Sequence, residues 1–444
     1  MDGNDSLLGR FLENADSFTT EQVAETVQLL VEHGVKWQAS DIHIEPHETH
    51  VLIRYRVDGS LKSAHKIPRT AHNSLTTHIK DRAALYSGFS ATPQQGRFTA
   101  VVDDKSYDVQ VATMPVIGGE KVVLHVTTRI PAPIALNELG YWGYGLQTLQ
   151  IAMGRSHGLT IVSAPRHHGR PSTLASLINA LQNPGLNIAT IEDEPGIRIP
   201  HANQTVVDPK AGFSILQGVQ AALYQDPNVL LVSNLPDKRT AELTIQAALS
   251  GHLVAAGMHS DSAVGALLHL RALGVPPYLI STGVRTVAGQ RLVRKLCDAC
   301  KERYELSAEQ LGLLKRVFGI NSQKAMQRIH SLEQQALKAS IGSDGRLSST
   351  EHGITHLWKS HKQGCDACQH TGYKGRTLLG EVLAIDGDIQ RALHDAEQTP
   401  ASLQLVALKN PQFIPLALDG LVKALRGQIA IKDVLHVVDR SLRV

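Results

Sequence analysis

Four short apolar runs decide most of what this chain can fold into. They are Leu159-Thr160-Ile161-Val162, Ile188-Ala189-Thr190-Ile191, Val229-Leu230-Leu231-Val232 and Leu253-Val254-Ala255-Ala256, with helical segments between them. A strand that is apolar on both faces has to be covered on both faces. Alternation with helices supplies that cover, so the pattern predicts a parallel sheet in an α/β domain. In such sheets phosphates bind where the first strand turns into its helix, because backbone N–H groups and the positive helix end converge there.

That turn reads Ala164-Pro165-Arg166-His167-His168-Gly169-Arg170-Pro171-Ser172-Thr173. A phosphate loop of the pattern G-x-x-x-x-G-K-[ST] uses glycines to wrap the β-phosphate, Lys for charge and a hydroxyl for Mg²⁺. Only Gly169 survives. Ala164 stands at the first glycine, Arg170 at the lysine and Pro171 at the Mg²⁺ hydroxyl. Pro171 also removes a backbone N–H from the helix start, and a planar guanidinium does not replace a compact ammonium. His167 and His168 read as a solvated loop. The alternative is that Arg166, His167, His168 and Arg170 hold an anion without Mg²⁺.

The N-terminal part has a different period. Val23, Val27, Leu30 and Val31 recur at helical spacing behind Thr19/Thr20, which can cap the helix. From Ser40, alternation through Ile42, Ile44, Val51, Ile53, Tyr55 and Val57 predicts strands, with Asp58-Gly59 as a hairpin turn. A helical stretch near 71–86 precedes further alternation from Gly96 to Val126, broken at Gly118-Gly119. Together these predict an α+β module whose sheet is half-exposed. Pro131, Pro133, Gly140, Gly143 and Gly145 suggest a linker. The expected organisation is a lead and helix over 1–34, the α+β domain over 35–130, a linker over 131–145 and the parallel-sheet domain over 146–296. A cysteine-bearing segment with an insertion follows over 297–380, helical around 307–338 and loose around 340–351, and then a helical end over 381–444.

Composition narrows the function. Lys+Arg exceed Asp+Glu by 44 to 41, a net charge of +3, and aromatics are 4%. Neither supports a nucleic-acid binder. No apolar run is long enough to span a membrane. The start, Met1-Asp2-Gly3-Asn4-Asp5, lacks the basic and apolar regions of a signal peptide, so the expected compartment is the cytoplasm, where thiols stay reduced. All 4 cysteines fall in two pairs, Cys297-x-x-Cys300 and Cys365-x-x-Cys368. Such pairs suit a closed, structural four-thiolate Zn²⁺ site, although the spacer is longer than in a compact zinc ribbon. A redox dithiol is the rival.

Five blocks, in order, resemble the ATPases of type II secretion and type IV pilus assembly. They are Ala39-Ser40-Asp41-Ile42-His43-Ile44-Glu45-Pro46 with Arg54-Tyr55-Arg56-Val57-Asp58-Gly59; Ile191-Glu192-Asp193, at the family's acidic box; Gln225-Asp226-Pro227-Asn228 leading into the 229–232 run, at its Walker B strand; Ala247-Ala248-Leu249-Ser250-Gly251-His252 through Met258-His259, at its His box; and Gln290-Arg291-Leu292-Val293-Arg294-Lys295-Leu296-Cys297 with Gly364-Cys365-Asp366-Ala367-Cys368 and Thr371-Gly372-Tyr373-Lys374-Gly375-Arg376, at its zinc segment. The resemblance implies a PAS-like N-terminal domain, a RecA-like nucleotide domain, structural zinc and a ring, hexameric by analogy. It also implies work at the inner face of the cytoplasmic membrane beside a platform protein. Members often carry a further N-terminal docking domain, which this chain is expected to be too short to contain.

The departures fall on chemistry. The family's Walker B Gly-Glu reads Ser233-Asn234, and Asn cannot act as a base. Arginines before Walker B read Gln220 and Tyr224, and an Arg-Val-Ser-Thr element reads Gln110-Val111-Ala112-Thr113, while Arg97 remains. By resemblance, the nucleotide site would comprise residues 164–173, Asn234, His259 and Arg97, with Glu192 as the one candidate base. The expectation is weak or absent ATP/Mg²⁺ binding. The chain would then act as a structural or regulatory subunit, in a homo-oligomer or in a mixed ring with an active paralogue. The alternative is an active, divergent ATPase using Arg170 and Glu192.

Overall fold

The computed structural model describes residues 19–37, 39–57, 60–128, 132–181, 183, 185–193, 197–208, 211–368, 370–395 and 399–441. The chain divides into two compact units, 1–130 and 131–444.

In the first unit, helix α1 (Thr20–Lys36) starts at a reciprocal cap. The Thr19 hydroxyl accepts from the Gln22 N–H at 3.3 Å, and the Gln22 side chain accepts from the Thr19 N–H at 2.9 Å. Its stripe of Val23, Val27, Leu30 and Val31 is buried. Strands β1 (Asp41–Pro46), β2 (His50–Val57) and β3 (Ser60–Pro68), helix α2 (Ala71–Arg82), and strands β4 (Gln94–Val102), β5 (Lys105–Val116) and β6 (Gly119–Thr128) follow. The sheet order is β3-β2-β1-β6-β5-β4, antiparallel throughout. Ile42, Ile44, Ile53, Tyr55, Val111, Val122 and Leu124 pack with α1 and α2 into one core. This is the PAS-like α+β domain the resemblance implies. Asp58-Gly59 lies outside the described residues.

On β1 the expected solvent face is instead a buried ionic ladder. Asp41 is paired with Arg56 at 3.0 Å and with His125, while Glu45 is held by Arg54 at 2.8 Å and Lys121 at 2.6 Å. Burial raises both carboxyl pKa values, and these hydrogen bonds and charges override it, leaving each at about 2. The family-like Ser-Asp-Ile-His-Ile-Glu-Pro block therefore supplies a core on one face of the strand and a charge ladder on the other.

The second unit opens with α3 (Leu136–Leu139) and α4 (Gly143–Met153), so much of the expected 131–145 linker is helical. It is also tied down, since the Trp142 indole donates to Asp419 at 2.5 Å and Lys423 donates to the Gly140 carbonyl at 2.8 Å. Next come β7 (Gly158–Ser163), α5 (Arg170–Asn179), β8 (Ile188–Glu192), β9 (Ala202–Val206), α6 (Ile215–Leu223), β10 (Val229–Val232), α7 (Lys238–Leu249), β11 (Leu253–Met258), α8 (Ala263–Ala272), α9 (Pro277–Gly283) and β12 (Val284–Leu296). The sheet order is β15-β12-β7-β11-β10-β8-β9, where β15 (Tyr373–Ala384) runs antiparallel to β12 and the other pairings are parallel. The four apolar runs are β7, β8, β10 and β11, adjacent and buried, in a RecA-like arrangement.

Between β12 and β15 lie the short pair β13 (Glu302–Tyr304) and β14 (Leu357–Lys359), with α10 (Ala308–Val317) and α11 (Gln323–Lys338) between them. The stretch expected to be loose around 340–351 is anchored, because buried Glu333 accepts from the N–H groups of Ser348 at 2.7 Å and Ser349 at 2.9 Å. Helices α12 (Gly387–His394), α13 (Pro400–Lys409), α14 (Leu416–Leu425) and α15 (Ile431–Ser441) complete the unit.

Candidate functional site

The 164–169 loop joins the carboxyl end of β7 to α5, where a doubly covered sheet places its phosphate site. Its backbone keeps a turn that needs left-handed residues: φ is +65° at His167 and +80° at Gly169. Ala164 is buried and its N–H donates to the Met258 carbonyl at 3.2 Å. Arg166 and His167 are exposed, and Pro165 and Ser172 half-buried.

His168 is a fastener rather than a solvated loop residue, so that expectation is corrected. Its Nδ1 accepts from the Leu292 N–H at 2.9 Å, and its carbonyl accepts from the Gln290 side chain at 2.7 Å. Gln290 is 1% exposed and is the hub of the loop. Its Oε1 also accepts from the Thr173 hydroxyl at 2.7 Å and the Tyr141 hydroxyl at 2.9 Å. The Thr173 hydroxyl is thus turned into the protein, while Pro171 offers neither hydroxyl nor N–H.

The structure brings Asn234 and His259 to the same end of the sheet as this loop. Asn234 follows β10, and its Oδ1 lies 3.5 Å from Nη1 of Arg170. His259 follows β11. Burial lowers its pKa, as do the nearby charges of Arg170 and Arg166, so the imidazole is neutral at pH 7. His252 sits at the opposite end of β11, where its Nδ1 donates to the Pro227 carbonyl at 2.7 Å, and it takes no part in the site.

Glu192 ends β8 beside β10 and is buried. One carboxylate oxygen already accepts from the Thr190 hydroxyl at 2.6 Å and the Gln204 amide at 3.0 Å. Next to it, the Ser233 hydroxyl donates to Asp193 at 2.5 Å. Arg97 lies on β4 of the first unit, exposed, with Gln110 opposite it in the ladder. Tyr224 is 93% exposed at the end of α6.

A second site lies where β12 leaves the sheet and β15 returns. Cys297, Cys300, Cys365 and Cys368 bring their sulfurs within 4.8 Å of one another, at 3.8 Å for 297–365, 3.8 Å for 300–368 and 3.7 Å for 365–368. A tetrahedron of thiolates about 2.3 Å from Zn²⁺ has edges of about 3.8 Å. The donor set therefore fits a structural zinc. Backbone N–H groups of Cys365 and Gly372 each donate to the Cys368 sulfur at 3.2 Å. Burial opposes its ionisation, but these bonds win and bring the thiol down to about 6. Burial and the neighbouring sulfurs push Cys300 up. Lys301 braces the knuckle through Asp298 at 2.8 Å, Ser343 at 2.6 Å and the Gly427 carbonyl at 2.9 Å.

Sequence reasoning did not single out Gln290, Tyr141 or Gln204. Gln290 opens the zinc-segment block, but no local pattern assigned a role to any of the three, because each acts through a partner distant in the chain or on a neighbouring strand.

A family model described as Type II/IV secretion system protein matches residues 16–436. The type II secretion system protein E of Dickeya dadantii is 32% identical over 415 residues, covering 94% of this chain and 75% of that protein. The type II secretion system ATPase E of Vibrio cholerae is 31% identical, covering 98% and 80%. The type IV pilus assembly ATPase PilB of Thermus thermophilus is 30% identical, covering 92% of this chain and 42% of that one. Among solved structures, the Legionella pneumophila ATPase DotB superposes with a TM-score of 0.63 at 15% identity, covering 96% of this chain and 98% of that one. The pilus retraction motor PilT with bound ADP gives 0.56 at 17%, covering 93% and 96%. At those identities the structural likeness establishes the fold.

Proposed function

This chain belongs to the type II/IV secretion system protein family, and we propose that it serves there as a ring subunit whose own nucleotide site does not turn over ATP. One observation carries the reading. By resemblance, Arg170, Pro171 and Asn234 occupy the positions at which the family uses a compact cation, a Mg²⁺ hydroxyl and a carboxylate. Phosphoryl transfer depends on positioning and charge neutralisation. Loss of one such group costs about 10²–10³ in rate, and three are altered together.

The parts that build the architecture are kept: the PAS-like sheet, the RecA-like sheet and the cysteine cluster, which would hold one structural Zn²⁺. The subunit would assemble in a hexameric ring, alone or mixed with an active paralogue. It would work beside an inner-membrane platform protein at the inner face of the cytoplasmic membrane. Among the described residues no helix is long and apolar enough to cross a membrane.

A second reading, a divergent but active ATPase, draws on Glu192 as base and on the charge that Arg170 keeps. In that reading Glu192, buried and held through one oxygen by Thr190 and Gln204, would have to act on water through its other oxygen. Steady-state hydrolysis of ATP with Mg²⁺ by the purified chain separates the two. We expect background turnover, unchanged in Glu192→Gln. Turnover that Glu192→Gln abolishes would promote the second reading.

A further inference from the structure

The inference rests on reading the cysteine cluster as a zinc site and concerns what the metal does for the rest of the unit. We propose that zinc binding at the knuckle is coupled through β12 to the 164–173 loop, so that an occupied knuckle helps to hold the loop in shape.

β12 serves both features. It begins as an inner strand between β7 and β15, but its pairing with β7 ends at Gly289, opposite Ser163. Pairing with β15 continues as far as Leu296. Beyond Gly289, the edge that β7 leaves is taken by the loop. The Leu292 N–H donates to His168 Nδ1 at 2.9 Å, and the Gln290 amide donates to the His168 carbonyl at 2.7 Å. A Cβ on Gly169 would stand 3.3 Å from the Gln290 side chain and 3.4 Å from that of Leu292, so the loop lies directly on this part of the strand.

The same strand then runs into the knuckle. Cys297 follows its last residue, while Cys365 and Cys368 stand shortly before Tyr373, where β15 begins. A metal bound by both pairs ties the end of β12 to the start of β15 and closes the long insertion between them. Just before that tie the ladder is irregular. Its register shifts between Arg294 and Leu296, and Gly375 on β15 takes a φ of +77° there. The last pair, Leu296 with Tyr373, is thereby set off from the regular ladder. Contacts nevertheless cross the bulge. The Gly372 N–H donates to the Cys368 sulfur at 3.2 Å, the Gly372 carbonyl accepts from the Cys297 N–H at 3.1 Å, and the Tyr373 ring lies 3.9 Å from the Arg294 guanidinium. Arg294 is two residues from Leu292. The far half of β12 is thus seated at its end by the knuckle and along its open edge by the loop, and freeing one loosens the other. Such coupling is reciprocal: the factor by which zinc steadies the loop is the factor by which the loop steadies zinc.

Two measurements read the two directions. In the first, the zinc-loaded chain and the same protein after chelator treatment are compared by amide hydrogen exchange. The loop amides to follow are Ala164, bonded to the Met258 carbonyl, and Thr173, bonded to the Gly169 carbonyl. We expect zinc removal to accelerate both by about fivefold or more, together with 290–297, and to leave β8 and β10 unchanged. In the second, zinc is titrated against a chromogenic chelator in the wild type, in His168→Ala, which removes the link, and in Arg166→Ala, an exposed position of the same loop. We expect His168→Ala to hold zinc about fivefold or more less tightly, and Arg166→Ala to match the wild type.

Loop amides that do not respond to zinc removal overturn the proposal. So does acceleration shared equally by β8 and β10, which would show loss of the whole unit rather than coupling along β12. A folded His168→Ala that holds zinc as the wild type does also overturns it, and if that variant fails to fold, exchange in the wild type decides. Protein that carries no zinc when purified without chelators defeats the reading of the cluster and this inference with it. Zinc-loaded protein that fails these tests defeats the inference alone.

Discussion

Gln290 shows how one buried amide can shape a loop it does not belong to. Its two functional atoms satisfy the His168 carbonyl, the Thr173 hydroxyl and the Tyr141 hydroxyl, at sequence separations of 122, 117 and 149. Gln290→Leu keeps similar volume and strands three buried polar groups, each costing about 1–3 kcal/mol. The predicted outcome is a clear fall in melting temperature, with amide exchange across 164–173 accelerated. Unchanged exchange there would remove Gln290 from its role.

A second residue-scale prediction concerns pH. His33 packs among His65, Trp37 and Tyr55, with its Nδ1 3.3 Å from His65 Nε2. Burial, then His65 and Lys36, bring its pKa down from 6.5 to about 4. The unfolded chain therefore takes up the proton first as pH falls. The stability tied to neutral His33 is whole above 6.5 and is lost between 6.5 and 4. With solvent screening this amounts to about 1–2 kcal/mol. The melting difference between wild type and His33→Gln should narrow as pH falls through that window. A constant difference would contradict it. At this scale the strand-to-helix turn holding Arg170 and Pro171, and the place of Asn234 after the third apolar run, were legible because both are local patterns. The inward turn of Arg170 and the Gln290 hub were not, because both are set by side chains that meet only in the folded sheet.

Among the elements, legibility followed burial. Strands β7, β8, β10 and β11 are covered on both faces and announce themselves as unbroken apolar runs. The edge strand β9, Ala-Asn-Gln-Thr-Val, is polar. Strands β12 and β15 carry arginines, lysines and glycines, because their far ends leave the sheet to build the cysteine knuckle. Gly145 suggested a linker but lies in α4 against Val382 of β15, where packing overrides weak propensity, while Gly143 takes a left-handed φ of +52° as α4 begins.

The knuckle gives the prediction at this scale: about one Zn²⁺ per chain by metal analysis of protein purified without chelators. Replacing any one of Cys297, Cys300, Cys365 or Cys368 by Ser should lower both metal content and melting temperature, because structural zinc binding is coupled to folding. A folded, metal-free protein with four freely reactive thiols would count against the site.

For the whole molecule the central claim is that assembly has been separated from ATP turnover. In a ring of RecA-like domains, a nucleotide lying between subunits ordinarily contributes charge contacts to both. By resemblance, Gln110 stands where the family places a cation, and under the proposed function nucleotide adds little to the contact between subunits. Assembly would then depend on direct packing between subunits or on competent clefts supplied by a paralogue. The measurement that tests this most directly is the mass of the assembly over a range of concentrations. It would be made with and without ATP and Mg²⁺, alone and with an active family member. The account predicts an oligomer or a mixed ring whose mass does not change with nucleotide. A chain that stays monomeric under every condition, or that assembles only when ATP and Mg²⁺ are present, would contradict it.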